Sequence, residues 1–215
     1  SHQPVVIDSG GRNLQTITFT TATAGAYTIG ATGGDSLLLT SGGAISNTNT
    51  VGSPEVINAP IVLEGTNGTY SFTNNAGLVA NTLTFGGDIS GGAAGNTVLT
   101  IGGSVGTSAA NLISGAISNG TATTLGITKT GASTWSLTGS NSYTGTTSLV
   151  QGTLLFSSGS LGNGGGIVFN GGTLSWASGN TDDISTRSVT ISSGGATLNI
   201  GTGNSVTFNH SIGGG

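Results

Sequence analysis

Three charged side chains lie close together in the sequence and could carry acid–base chemistry: Asp182, Asp183 and Arg187. Two carboxyl groups beside a cation can donate and accept protons around a glycosidic bond, which is how sugar polymers are cleaved. The alternative is a solvated loop from Ser178 to Arg187, in which Arg187 balances the aspartates. Only 5% of the residues are charged. Because so few groups are available to converge in a groove, we favour the loop.

Metal binding has little support in the sequence. His2 and His210 are isolated, whereas zinc takes three or four ligands, so we expect a surface role for both histidines. Asp35 and Asp88 each follow two glycines, a feature of calcium-binding nonapeptide repeats, but the tandem period of those repeats is absent. We therefore assign no catalytic, cofactor-binding or metal-binding residue and expect no cofactor. The chain is predicted not to be an enzyme.

The single lysine and the two tryptophans have other roles open to them. Lys129 has the strand parity of Leu125 and Ile127. Its ammonium is predicted either to cap backbone carbonyls at a corner or to end a strand in solvent. Trp135 and Trp176 could form platforms on which sugar rings stack. Each shares strand parity with an apolar neighbour, however, and this favours core packing.

Threonine pairs two residues apart, such as Thr16 with Thr18 and Thr82 with Thr84, could build a flat face that orders water. Ice-binding β-solenoids use such a face, and they need the same pair on every rung. Here the pairs recur irregularly, and threonine is a common outward residue on strands. We therefore interpret them as ordinary strand residues.

Short strands separated by glycine and asparagine corners must position all these side chains. Apolar residues two apart put both side chains on one face of a strand. Two such residues cannot form a core alone, so the strands are expected to stack directly above one another. The predicted fold is all-β: a single-stranded, right-handed parallel β-helix (β-solenoid) with roughly three strands per rung. The clearest pairs are Trp135 and Leu137, Leu154 and Phe156, Ile167 and Phe169, and Leu174 and Trp176.

Composition agrees with this fold class. The 215 residues include 42 glycines without a three-residue period, which excludes collagen, and almost no charge, which argues against disorder. No segment has helical periodicity over three turns. The motif Gly-x-Ile-Ser recurs at Ile45, Ile89 and Ile117. The last two copies are 28 residues apart, and the later strands at Val189, Leu198 and Val206 are spaced by 9 and 8 residues. From these distances we predict rungs of roughly 20 to 28 residues and a single β-helical domain over residues 1–215.

The stretch from Leu125 to Phe156 also resembles a known family. Its residues read Lys129-Thr-Gly131, Thr134-Trp135-Ser-Leu137-Thr-Gly139, Asn141-Ser-Tyr143-Thr-Gly145, Thr147 and Gly152-Thr153-Leu154. The order and spacing resemble the passenger-associated transport repeat of bacterial autotransporters, with the repeat at about 125–156. Ser133 stands where that family usually has glycine, and Ser142 where threonine is common.

This resemblance implies a β-helical passenger segment at the bacterial cell surface or outside the cell, without catalytic activity. We expect a rigid stalk or fibre, with adhesion or display in the parent protein and a host or matrix glycan or protein as its partner. One alternative is an extracellular filament subunit that self-associates end to end. A second alternative is a polysaccharide-active β-helix enzyme.

Charge and hydropathy exclude two further classes of partner. The net charge is −4, and the three basic residues, Arg12, Lys129 and Arg187, are far apart, so we expect no nucleic-acid binding. A run of about 18 apolar residues is absent, so no membrane-spanning segment is predicted. The first residues also lack the basic and apolar regions of a signal peptide.

Overall fold

Parallel β-strands make up almost all the regular structure of this protein. The computed structural model describes residues 3–5, 12–20, 25–104 and 110–213, and the prediction of a parallel β-solenoid is confirmed over them. The described helical structure is one short 3-10 turn, Ile184–Thr186. The strands are β1 Gln3–Val5, β2 Arg12–Phe19, β3 Tyr27–Ile29, β4 Leu37–Asn47, β5 Glu55–Ile57, β6 Ile61–Leu63, β7 Thr69–Asn74, β8 Leu83–Phe85, β9 Ile89–Gly91, β10 Asn96–Gly102, β11 Asn111–Ile113, β12 Ile117–Ser118, β13 Thr124–Lys129, β14 Thr134–Leu137, β15 Thr147–Leu149, β16 Thr153–Phe156, β17 Ile167–Phe169, β18 Thr173–Trp176, β19 Val189–Ile191 and β20 Thr197–Asn199.

The strands stack into two sheets that together form three faces. The first face is one sheet in the order β1-β3-β5-β8-β11-β14-β16-β18-β20. The other sheet contains the second face, β6-β9-β12, and the third face, β7-β10-β13-β15-β17-β19. The long strand β4 joins these two faces, because Leu37–Leu39 pairs with β6 and Ala44–Asn47 pairs with β7. Every described pairing is parallel, so each turn lies on the one before it.

Three strands per rung is the pattern of the middle turns, for example β5, β6 and β7. From β14 onwards each turn has two described strands, because irregular chain replaces the strand of the second face. Turn length follows from the register. Glu55 lies beside Leu83, whereas Thr134 lies beside Thr153, so the turn that begins at β14 is shorter than the one that begins at β5. Both turns have lengths close to the rung length predicted from the sequence.

The Gly-x-Ile-Ser motif is only partly a structural repeat. Ile89 and Ile117 are neighbours in register on the second face, as a repeat requires. Ile45 instead lies on the third face, where it pairs with Phe72. The first copy is thus not equivalent to the other two, because β4 continues through the corner that separates the second and third faces and shifts the motif along the turn.

The core is a narrow interior filled by columns of alternate side chains. All the apolar pairs predicted from the sequence are buried, and pairs on the same face stack in register. On the third face the inward column runs Ile45, Phe72, Ile101, Lys129, Leu149 and Phe169. Stacking buries apolar surface that no single short strand could bury, and this burial is the main stabilising term.

Burial decreases towards the C-terminal end of the described column. Leu198, Val206 and Phe208 point to the core but are only half-buried, and Ile191 is 42% exposed. Both β19 and β20 have a pairing partner on one edge only, within the part of the chain that the structure describes. The interior is thus incompletely covered at this end.

Candidate functional site

Lys129 is a cation placed inside the apolar column of the third face. It ends β13, where Ile101 precedes it and Leu149 follows it in register. The residue is fully buried. Its parity with Leu125 and Ile127 correctly predicted the inward direction, because alternate residues of a strand face the same side.

The lysine ammonium caps a corner of the solenoid. Lys129 Nζ donates to the carbonyl oxygens of Thr130 at 2.6 Å, Gly131 at 2.8 Å and Gln151 at 3.1 Å. These carbonyls belong to two successive turns. The prediction of a polar anchor is confirmed, and the alternative of a solvent-exposed strand end is wrong. Burial lowers the pKa of Lys129 from its ordinary value of 10.5 to about 8.

Glycine is required where the second turn passes the ammonium. Gly152 has a φ of +71°. A Cβ built on it would lie 2.3 Å from the carbonyl oxygen of Gly131 and 2.7 Å from Lys129 Nζ. The Lys129 anchor therefore needs the Lys-x-Gly and Gly-Thr-Leu parts of the sequence pattern together.

Both tryptophans are core residues. Trp135 is fully buried, stacks on Phe85 with ring centroids 6.1 Å apart, and donates from Nε1 to the carbonyl oxygen of Gly102 at 3.0 Å. Trp176 contacts Phe156 edge-on and donates from Nε1 to the carbonyl oxygen of Asp182 at 2.9 Å. Core packing is confirmed for both. A sugar platform is excluded at these residues because their ring faces are covered.

Buried asparagines tie successive turns together. Asn141 accepts a hydrogen bond from the backbone N–H of Ile117 at 2.7 Å and donates to the carbonyl oxygen of Ser160 at 2.6 Å. Its carboxamide therefore connects the preceding and the following turn. Asn111 does the same on the first face, between Leu83 N–H at 2.9 Å and Thr134 O at 3.2 Å.

The sequence pattern places these asparagines at corners and does not predict the bridging role. A signal for it is nevertheless present, because Asn141 shares strand parity with Tyr143 and Asn111 with Ile113. A polar side chain in an inward position must find hydrogen-bond partners. The hydroxyl of Tyr143 likewise lies 2.8 Å from Thr147 Oγ1, and burial raises the pKa of Tyr143 to about 12.

Ser133 occupies a buried position where the passenger-associated repeat usually has glycine. Ser133 is fully buried, and its hydroxyl has no hydrogen-bond partner among the described residues. Its backbone is not in the left-handed region. The departure from glycine thus adds an unsatisfied hydroxyl and does not strain the chain.

Asp182, Asp183 and Arg187 are joined to one another by no hydrogen bond among the described residues, and each binds groups in a neighbouring turn. Asp182 accepts hydrogen bonds from Ser158 Oγ at 2.6 Å and from Gly159 N at 2.9 Å, both in the preceding turn. These bonds occupy both of its carboxylate oxygens. Its bonding partners are therefore those of a corner, as the loop interpretation expects.

Asp183 caps the 3-10 turn and joins it to the following turn. Its carboxylate accepts from Ser185 Oγ at 2.6 Å and from the backbone and side-chain nitrogens of Asn209 at 3.0 and 2.8 Å. These hydrogen bonds, led by that from the Ser185 hydroxyl, lower the pKa of Asp183 to about 2. A group with so low a pKa is a poor general acid or base near neutral pH.

Arg187 binds backbone and does not balance the aspartates, so that part of the loop prediction is wrong. Its guanidinium donates to the carbonyl oxygens of Leu161 at 3.0 Å, Gly162 at 2.7 Å and Gly165 at 3.3 Å. The planar fork with several N–H groups suits such a cluster of carbonyls. Arg187 therefore anchors the loop of the preceding turn.

The remaining candidate residues lie apart. His210 and Asp35 are exposed, and Asp88 accepts a hydrogen bond from Ala116 N at 2.8 Å across to the next turn. Within the ranges that the structure describes, no three His, Asp or Glu side chains come together. His2 lies outside the described residues.

Hydroxyl groups are frequent on the outer side of the third face. One column there reads Thr16, Ala44, Ser71, Thr100, Thr128, Ser148, Val168 and Thr190. Thr82 and Thr84 lie near or on the first face instead. The column mixes serine, alanine and valine with threonine, so the strict threonine repeat required of an ice-binding face is absent among the described strands.

Comparison with known protein families matches residues 127–156 to the family described as the Passenger-associated-transport-repeat. A search of curated proteins and a search of solved structures gave no match. The helical part of the described chain is too short to cross a membrane. The matched residues contain the Lys129 anchor, Trp135 and the Asn141 bridge. Residues 127–156 therefore match the passenger-associated transport repeat, and they form successive turns of the β-solenoid.

Proposed function

We propose that this chain is a non-catalytic structural segment of a surface-displayed or secreted autotransporter-like protein. It acts as a rigid stalk or fibre that holds a binding surface of the parent protein away from the cell. Adhesion to a host or matrix glycan or protein is the activity that such a stalk would serve. The passenger-associated transport repeat at residues 127–156 supports the proposal.

The observation that carries the proposal is that charged side chains form hydrogen bonds between turns of the solenoid. Lys129 and Arg187 each bind three backbone carbonyls, and Asp182 and Asp183 each bind groups in a neighbouring turn. These groups stabilise the stack, which is what a column under tension requires. For the buried Lys129, hydrogen bonds to a charged group contribute roughly 1.5 to 3 kcal/mol each.

Single-molecule force spectroscopy tests the stalk directly. The protein is held by its two termini and extended. We expect resistance followed by stepwise release of chain, each step matching one or a few turns, because each turn contacts only its neighbours. The Trp135→Ala variant should unfold at lower force. Extension without a measurable plateau would contradict a mechanical role.

A turnover assay tests the absence of catalysis. The protein is incubated with pectin, alginate and host glycans at several pH values, and products are measured. We expect none, since the carboxylates of Asp182 and Asp183 are bound to backbone and hydroxyl groups. Turnover that disappears in Asp182→Asn or Asp183→Asn would instead support the polysaccharide-active alternative.

The partial exposure of inward side chains in the last described turns favours a second candidate function, a filament subunit that stacks end to end. These side chains continue the core columns, and residues 188–215 contain no Asp, Glu, Lys or Arg. Edge strands without charged residues are prone to pair with another chain. Head-to-tail stacking of a second copy would give an open, non-closing assembly.

Two matched variants test this second candidate by light scattering over a range of concentrations. Ile191 is 42% exposed in β19, and Val150 is 40% exposed at a corner along the column. If copies stack end to end, Ile191→Lys should abolish association and Val150→Lys should leave it unchanged. A monomer at every concentration, or equal effects of both variants, would remove the filament candidate.

A further inference from the structure

Four asparagines in the chain are followed directly by glycine: Asn67, Asn119, Asn163 and Asn170. In such a pair the backbone nitrogen of the glycine can attack Cγ of the asparagine, because glycine has no Cβ to obstruct the approach. The reaction needs a carboxamide that is free to turn towards the chain. It also needs a glycine N–H that is not held by another group. The structure separates the four pairs on these two requirements.

At Asn67 and Asn170, hydrogen bonds hold both the carboxamide and the N–H of the following glycine. Each Oδ1 accepts a hydrogen bond from a backbone N–H of the next turn, at 2.9 Å for Asn67 and 3.1 Å for Asn170. The following glycines donate their N–H groups to carbonyl oxygens, Gly68 at 3.1 Å and Gly171 at 2.9 Å. Reaction at either pair would first have to break both contacts.

Asn119 is held through its side chain. Its Oδ1 accepts from Leu125 N at 2.9 Å and from Thr144 N at 3.0 Å, and its Nδ2 donates to Thr144 Oγ1 at 2.8 Å and to Thr123 O at 3.3 Å. All the hydrogen-bonding capacity of this carboxamide is therefore used.

Asn163 differs from the other three. Its side chain is exposed and makes no hydrogen bond among the described residues, and the N–H of Gly164 makes none to described backbone. Gly164 has a φ of +86°, and a Cβ built on it would meet no atom within 4 Å. Both reacting groups are therefore free, and the space around the nitrogen is open.

The loop is fixed on either side of this pair. Arg187 holds the carbonyls of Leu161 and Gly162 before it and of Gly165 after it. Asn163 N–H also donates to Tyr143 O at 2.8 Å. The pair is thus a short free segment between anchored neighbours, and a change in its backbone length would act on the Arg187 contacts.

We propose that Asn163 is the site at which this protein undergoes spontaneous deamidation. Gly164 N forms a bond to Asn163 Cγ, the bond from Cγ to Nδ2 breaks, and the nitrogen leaves as ammonia with the proton of the glycine N–H. Water then opens the resulting succinimide at either carbonyl. The products are aspartate in the normal chain, or isoaspartate, which adds one methylene to the backbone. Either product adds one negative charge beside the loop that Arg187 anchors.

Peptide mapping by mass spectrometry tests this assignment. The folded protein is aged in mildly alkaline buffer and digested with a protease that does not depend on basic residues, and each asparagine is followed. We expect deamidation at Asn163 to be about tenfold faster than at each of the other three, the ratio expected when ordinary hydrogen bonds must be broken first.

Two controls make the result decisive. In denaturant the four pairs should react at similar rates, because the structural contacts are then lost. The Asn163→Gln variant should remove the dominant product from the folded protein, since the longer side chain forms a ring less readily. Equal rates at the four sites in the folded state, or a faster reaction at Asn67, Asn119 or Asn170, would overturn the proposal.

Discussion

At the residue scale, Lys129 shows how a charge can be placed inside an apolar column. Burial of an ammonium is unfavourable unless its donors are satisfied. Three carbonyl oxygens provide that satisfaction here, and they come from two turns of the solenoid. The lysine therefore fixes the position of one turn on the next. Burial still disfavours the charged form of the side chain, and this lowers the pKa of Lys129.

This low pKa predicts an unusual pH dependence of stability. Lys129 has a pKa of about 8 in the folded protein and an ordinary value of 10.5 when unfolded. The folded state thus releases the proton first, so the unfolded state binds more protons between these values. Stability should be flat below pH 8 and rise by roughly 1 kcal/mol per pH unit from there towards pH 10. Denaturant unfolding at a series of pH values measures it.

The Lys129→Met variant is the control for that measurement. Without a titrating group at this position the rise should disappear, while the three carbonyls lose their donor and stability at neutral pH should fall by about 1 to 3 kcal/mol. A rise that persists in the variant would assign it to other groups.

Trp135 should be among the most sensitive residues of the core. Trp135→Ala removes a fully buried ring and its bond to Gly102, and it should lower the free energy of unfolding by about 3 to 5 kcal/mol. Trp135→Phe should cost less, because it keeps most of the packing. Denaturant titration measures both, and a loss below about 0.5 kcal/mol for alanine would place the ring outside the core.

A substitution at Ser133 should increase the stability of the protein. The hydroxyl of this serine is buried without a partner among the described residues, and Ser133→Ala removes it without changing the backbone requirement. The variant should be more stable by about 1 kcal/mol, since an unsatisfied buried hydroxyl is unfavourable. An unchanged or lower thermal midpoint would indicate that a buried water satisfies this group.

At the scale of the elements, the sequence predicts the role of a side chain that acts within its own strand. It does not predict the partners of a side chain that acts between turns. Apolar pairs such as Trp135 and Leu137 reveal strands and their inward faces, because strand parity is local. The partners of Asn141 and Arg187 lie in other turns, and the registers between strands show that turns differ in length. An irregular period does not show which residues become neighbours, so these contacts could not be predicted.

The asparagine bridges should contribute strongly to the contact between turns. Asn141→Ala leaves Ile117 N–H and Ser160 O without their partners in a buried corner, and we expect a loss of about 2 to 4 kcal/mol. Asn163→Ala is the matched control, because that exposed carboxamide makes no described hydrogen bond; its effect should stay within about 0.5 kcal/mol. Similar losses in both variants would contradict the bridging role.

At the scale of the whole molecule, the protein is a column in which each turn is stabilised by the two beside it. Apolar side chains fill the interior, and polar and charged side chains such as Lys129, Asn141 and Arg187 connect successive turns. Several of the few charged side chains, Lys129, Asp182, Asp183 and Arg187, thus contribute to the contacts between turns. The register between turns therefore determines which side chains come into contact.

Engineered disulfides measure that register most directly, because the chain has no cysteine of its own. Thr128 and Ser148 are neighbours in adjacent turns on the outer side of the third face. Their separation of about 4.8 Å lies within the range that a disulfide spans. In the variant Thr128→Cys with Ser148→Cys, we expect a disulfide to form within the monomer on mild oxidation, with native circular dichroism.

The control pair is Thr100→Cys with Ser148→Cys, in the same column but one turn further apart. At roughly 9.6 Å, twice the spacing of adjacent strands, these cysteines should stay reduced. Mass spectrometry of the oxidised proteins distinguishes the two outcomes. A disulfide in the adjacent pair alone is the result that stacked parallel turns predict. Failure of the adjacent pair to close, or equal closure of both pairs, would contradict the solenoid register.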